Sequence, residues 1–146
     1  MVHYNFDKDL QMGEEAQTGA IERIKKEFEG IVIVEKRSRN KNFDIKGNYQ
    51  NMEIRFEVKW DIMAAKTGNV AIEYESRSKP SGISVTQADY WIYKIQDEFY
   101  LIETIKIKEA ISKGLFHRIV TGGDTGSFTR MYLVKVPNFI NLGKKI

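Results

Sequence analysis

Phe43-Asp44-Ile45-Lys46-Gly47-Asn48, continuing through Met52-Glu53-Ile54-Arg55-Phe56-Glu57-Val58-Lys59-Trp60, is the stretch on which the fold turns. Phe43-Asp44-Ile45 alternates apolar and acidic residues. Gly47-Asn48 supplies turn chemistry, and Met52 to Trp60 alternates again through Ile54, Phe56 and Val58. The pattern predicts two antiparallel strands joined near Gly47. Side chains two apart on a strand share a face, so Glu57 and Lys59 project together while Val58 turns into the core. If the turn sets the strands side by side, Asp44 reaches the same spot.

Working outward, Ala16, Ala20, Ile21, Ile24 and Phe28 follow helical spacing between Gly13 and Gly30, with glycine where a C-cap falls. Ile31 to Glu35 is a β-branched run and predicts a strand leading into the polar segment 36–42. In Val70 to Ser76, Val70, Ile72 and Tyr74 share one face, which predicts a third strand of the same sheet. Ser84 with Gln87 three positions on makes a capping box, predicting a helix through about Tyr93. Phe99 to Glu103 reads as a strand, Ile105 to Leu115 as a helix and Met131 to Val136 as a final strand. No internal repeat is present. The expected fold is mixed α/β (α+β), a single domain over residues 1–146 with a central mixed β-sheet flanked by helices.

A chain of 146 residues with 42% hydrophobic and 29% charged content can bury one ordinary core. It has no cysteine, which excludes thiolate zinc sites, disulfide frameworks and cysteine nucleophiles. The two histidines, His3 and His117, stand far apart, so any metal site is expected to be built from oxygen ligands. No segment approaches the ~20 apolar residues needed to cross a bilayer, and Met1 to Leu10 lacks a leader's apolar stretch; a soluble, cytoplasmic protein is expected. The net charge of +3 is compatible with a polyanionic partner without requiring one.

Two carboxylates and an ammonium in one small volume suit phosphodiester hydrolysis. Carboxylate oxygens hold Mg2+ or Mn2+, which keeps its waters and polarises phosphate, and a lysine orients or deprotonates the attacking water. The bland alternative is a pair of solvated charges on an exposed strand face.

The run Phe43-Asp44-Ile45, the thirteen positions from Asp44 to Glu57, and Glu57-Val58-Lys59 together resemble the PD-(D/E)XK nuclease superfamily, with a spacing similar to that of archaeal Holliday junction resolvases. The segment from Gly68 through Glu73-Tyr74-Glu75-Ser76-Arg77 to Ile83, then Ala88-Asp89-Tyr90, is similar to phage-encoded members. The resemblance covers roughly Gly13 to Glu103. It implies a restriction-endonuclease-like αβββαβ core and a metal-dependent endodeoxyribonuclease. Holliday junction resolution or another structure-selective cut, a homodimer, and a host's cytoplasm for a phage-encoded member come with it. The catalytic set is then Asp44, Glu57, Lys59 and Glu15, and the metal positions are Asp44, Glu57 and Val58. Phe43 replaces the superfamily's proline. Glu14 and Glu15 are the candidates for its helix glutamate, although Gln17 stands in the expected register. Gln87 has Tyr90 three residues on and Trp91 four on, a weak match to the glutamine and tyrosine of the exonucleases.

Glu73 and Glu75 are secondary candidates for the metal or its waters, with a solvated strand face as the alternative. Arg37, Arg39 and Lys41, in the basic run that begins at Lys36, are expected near the mouth of the site. Arg77 and Lys79, in a loop with the amides of Ser81 and Gly82, and also Gln87, complete the nucleic-acid-binding candidates. The glycine-rich stretch from Thr121 to Ser127 lacks the lysine of a P-loop, so no nucleotide cofactor is expected. Trp91 and Tyr93 read as core or dimer-contact aromatics. The rival readings are an exonuclease or restriction-type nuclease, a non-catalytic nucleic-acid-binding module, and a plain interaction protein.

Overall fold

The computed structural model describes residues 6–36, 42–123 and 126–146, with side chains from residue 11 onward. Helix α1 (Phe6–Glu27) presents Ala16, Ala20, Ile24 and, just beyond it, Phe28 as a buried stripe. A Cβ on Gly19 would stand 2.6 Å from the Phe99 ring, so the helix lies hard against the sheet. Gly30 (φ +89°) turns the chain out of the helix in the left-handed region that a glycine adopts without strain.

Strands β1 (Val32–Glu35), β2 (Ile45–Tyr49) and β3 (Met52–Trp60) form an antiparallel meander. The β2–β3 turn is at Gln50-Asn51, both with positive φ, and not at Gly47-Asn48 as expected. Gly47 sits inside β2 because the Ile31 side chain packs onto it: an added Cβ would stand 2.7 Å from Ile31 Cδ1. A short helix α2 (Ala64–Thr67) follows, then β4 (Asn69–Ser76), β5 (Lys79–Pro80), a 3-10 turn (Gly82–Ser84), β6 (Tyr90–Ile95), β7 (Glu98–Glu103) and α3 (Thr104–Ser112). Strands β8 (Arg118–Gly122) and β9 (Thr129–Lys135), helix α4 (Val136–Ile140) and β10 (Lys144–Lys145) complete the chain.

The central sheet has the order β1-β2-β3-β6-β7-β10 and is mixed, since β6 runs parallel to β3 and its other neighbours pair antiparallel. This is the expected mixed α/β architecture with a central sheet flanked by helices. One expectation fails: β4 leaves that sheet and joins a second, antiparallel one of order β5-β4-β9-β8. The Asp61 carboxylate accepts the N–H of Ala64 at 2.9 Å and of Ala71 at 3.1 Å, which turns the chain off the end of β3 and hangs β4 on a new layer. Alternation along β4 was legible; its partner was not.

The helix expected from Ser84 to Tyr93 is also absent, and with it the crossover helix of an αβββαβ core. The Ser84 hydroxyl donates to the Tyr74 carbonyl (2.8 Å) and the Gln87 N–H to the Asn42 carbonyl (2.9 Å), so neither caps a helix. Tyr90-Trp91-Ile92-Tyr93 instead enters the middle of the sheet, where aromatic and β-branched residues are buried on both faces.

On one face of the central sheet, Ile45, Phe56, Ile92, Phe99 and Leu101 pack against α1. On the other, Trp91, Tyr93, Ile95 and Ile102 meet Val70, Ile72 and Val134 of the second sheet, Ile107 of α3 and Phe139 of α4. Trp91 and Tyr93 are thus core residues, as read from the sequence. The second layer leaves the β1–β2 margin of this face open, where Val32 and Val34 are 61% and 49% exposed. No helix among the described residues is long and apolar enough to cross a membrane.

Candidate active site

At the border between the covered and open halves of that face lie Asp44, Glu57 and Lys59. Asp44 precedes β2 and donates its N–H to the Phe56 carbonyl at 2.9 Å, extending the hairpin by one residue. β2 begins only at Ile45, so the N–H of Val58 has no strand partner on that side. The Asp44 carboxylate takes its place, accepting the Val58 N–H at 2.8 Å. Asp44 is thereby fixed beside Glu57, whose carboxylate lies 3.3 Å from the Lys59 ammonium.

Beside the pair, on the same face of the sheet, stand two buried aromatic rings. Glu57 stands opposite Trp91 and Lys59 opposite Tyr93 in the parallel register, the two rings stack at 5.9 Å, and the ammonium lies 5.8 Å from the Trp91 centroid. The Glu57 side chain is only 13% exposed, against 46% for Lys59. Burial, with the Asp44 charge adding to it and Lys59 opposing it, pushes the Glu57 carboxyl up to about 7. Burial raises Asp44 too, against the Val58 N–H and Lys59, which favour its ionised form. Burial raises the Tyr93 phenol as well, helped by Asp61 and Glu57. Asp44 and Lys59 both act on Glu57, as groups sharing one site must.

The donor set suits a hard divalent cation. Two carboxylates desolvated together are costly when both are ionised, and a cation between them would relieve that cost. Among the described residues no group of three or more Asp, Glu, His or Cys side chains forms, so such an ion would keep several waters. The Val58 side chain packs on the α1 side of the sheet. What Val58 can offer is its carbonyl oxygen, which leaves the strand on the same edge as the N–H that Asp44 receives.

The other sequence candidates are dispersed. Glu15 is exposed on α1, which covers the opposite face, and its carboxylate lies 3.5 Å from Gln11 Nε2, so it does not join the triad. Glu14 and Gln17, also on α1, are half-buried. Glu73 and Glu75 went with β4 into the second sheet, where Glu75 lies 4.0 Å from Arg130 and the Glu73 carbonyl abuts Gly82. Arg77 forms the β4–β5 turn at φ +53°, and Lys79 is exposed on β5. Gln87 is exposed, and its main chain is tied to Asn42, two residues before Asp44. Arg37, Arg39 and Lys41 lie outside the described residues. Sequence reasoning missed Asp61 as the residue whose carboxylate ties the end of β3 to the start of β4. Its one local signal was an aspartate three residues before Ala64 at the end of a strand.

Neither a family model nor a curated protein sequence matches this chain. The solved structure of a bacterial homing endonuclease, I-Ssp6803I, is similar to it with a TM-score of 0.51 and 19% identity, covering 85% of this chain and 76% of that one. At that identity the likeness establishes a shared mixed α/β fold.

Proposed function

We propose that this protein is a metal-dependent nuclease that hydrolyses DNA phosphodiester bonds, cutting internally, with Asp44, Glu57 and Lys59 as its catalytic residues. The observation that carries the reading is the meeting of two desolvated carboxylates and one ammonium at the edge of an open sheet face. The fold shared with a homing endonuclease supports DNA as the substrate. The spacing from Asp44 to Glu57 supports a member of the PD-(D/E)XK class, with branched DNA among its substrates and a symmetric homodimer to cut both strands.

Asp44 and Glu57 would hold Mg2+ or Mn2+, which when bound supplies Lewis-acid polarisation of the phosphate and a more acidic water. Asp44 is held by the Val58 N–H, so its carboxylate is ordered before a cation arrives. Lys59, half-exposed and anchored on Glu57, stands where it can orient the attacking water and balance charge developing on the phosphoryl oxygens. The buried rings of Trp91 and Tyr93, beside Glu57 and Lys59 on the next strand, keep water from that side of the site, which strengthens these interactions.

The test is cleavage of supercoiled plasmid, linear duplex and a four-way junction, with Mg2+ and then with chelator. Cutting that requires the cation and falls by about a hundredfold or more in Lys59→Ala is expected, the loss typical of removing a group that stabilises transition-state charge. Full activity of Lys59→Ala, or of the wild type in chelator, would overturn the proposal.

A further inference from the structure

Arg55 lies on β3 two residues before Glu57, on the same face and about 6.6 Å along the strand. That step is comparable with the spacing of successive phosphates along a nucleic-acid strand. Its main chain is fixed twice by Asp89, whose carboxylate accepts the Arg55 N–H and whose N–H donates to the Arg55 carbonyl, each at 2.8 Å. The guanidinium lies over the buried Phe43 ring, 5.3 Å from its centroid, at the rim where the open face begins. One end of its fork, Nη2, meets Glu53 Oε2 at 2.8 Å, while Nε beside it is buried with no partner. A buried, unpartnered N–H on a charged group is unfavourable and calls for an explanation. The edge formed by Nε and Nη2 is the one that grips phosphate oxygens in pairs, and here it is half-filled by a single carboxylate oxygen.

We propose that Arg55 binds a backbone phosphate neighbouring the scissile one, and that Glu53 occupies its fork in the free protein and is displaced when the phosphate arrives. This rests on the nuclease reading above. Two carboxylates at the cutting site repel a polyanion, and Lys59 is already engaged by Glu57, so the open face needs a second fixed cation. Lys46, opposite Arg55 on β2, is a looser point charge, 3.7 Å from Glu35 and 3.6 Å from Glu53. Among the described residues, Arg55 alone has a stacked, oriented fork with an empty position.

The experiment measures binding of a fluorescein-labelled DNA duplex in chelator over a salt series, with cleavage in Mg2+ and thermal melting run alongside. For Arg55→Gln the expected result is about tenfold weaker binding, with the slope of log Kd against log salt falling by about one. Arg55→Lys should keep that slope and still bind several-fold more weakly, since it retains charge without the fork. Glu53→Gln should bind several-fold more tightly. Wild-type affinity and slope in Arg55→Gln would overturn the inference, as would a Glu53→Gln variant that binds no more tightly. If Arg55→Gln does not fold, Arg55→Lys and Glu53→Gln decide by the same criteria. Wild type that cuts DNA while these variants bind unchanged sinks the Arg55 inference alone. Wild type that neither binds nor cuts sinks both readings.

Discussion

The two halves of β3 carry the same kinds of side chain and differ in what lies beneath and beside them. In the first half, Glu53 and Arg55, with Lys46 and Glu35 across the neighbouring strands, form ion pairs on an open sheet face. In the second half, Glu57 and Lys59 form a similar pair beside Trp91 and Tyr93, the rings on which the second sheet packs, and Glu57 is largely buried. Exposed pairs are screened by water and contribute little to stability, whereas a carboxylate buried beside aromatic rings loses hydration and becomes a weaker acid. The alternation that places the charges is common to both halves. In the covered half burial raises the Glu57 carboxyl to about 7, the kind of shifted acidity that catalytic carboxylates display.

The largest effect is expected at Trp91. Trp91→Ala removes the buried ring beside Glu57 and leaves a cavity, with an expected loss of about 3–5 kcal/mol in denaturant unfolding. A loss below about 1 kcal/mol would mean that Trp91 does not anchor the covered half. A smaller effect is expected from Glu57→Gln, and its size depends on pH. Glu57 has its folded pKa raised, so its favourable contribution is complete below its ordinary carboxylate range and is lost as pH rises through about 7. Wild type should therefore lose stability between about pH 5 and 8 relative to the glutamine variant. In metal-free buffer the difference should reach roughly 2–3 kcal/mol, or about 5–10 °C in melting temperature. Equal pH profiles for the two proteins would refute the buried-carboxylate picture. On the open half, Lys46→Ala should change stability by less than about 1 kcal/mol. A loss as large as that at Trp91 would erase the distinction between the halves.

Much of the site's geometry was legible because it is local. Glu57 and Lys59 share a face through the period of a strand, and Asp44 falls beside them once the hairpin closes, whether its turn lies at Gly47-Asn48 or at Gln50-Asn51. Helix α1 and strands β1, β3, β7 and β9 likewise follow from periodicity. The segment 90–95 was misread because a short apolar run bounded by a capping-box pattern fits a helix and a central parallel strand equally well. Its neighbours on both faces decided the matter. Glu15, Glu73 and Glu75 were plausible ligands by type and position along the chain. Packing of α1 on the far face and departure of β4 into another sheet set them apart from the triad.

Local order was enough to show which side chains alternate along β3 and β4, that the first helix forms, and which two charges on β3 must point the same way. Those are consequences of backbone geometry over a few residues. The arrangement in three dimensions set the rest: Asp44 takes up the N–H of Val58, a second sheet packs on Trp91 and Tyr93 of β6, and Glu57 stands buried beside those rings while Arg55 lies at an open rim. Desolvation and partner choice depend on residues dozens of positions away, and no local repeat in the chain encodes them.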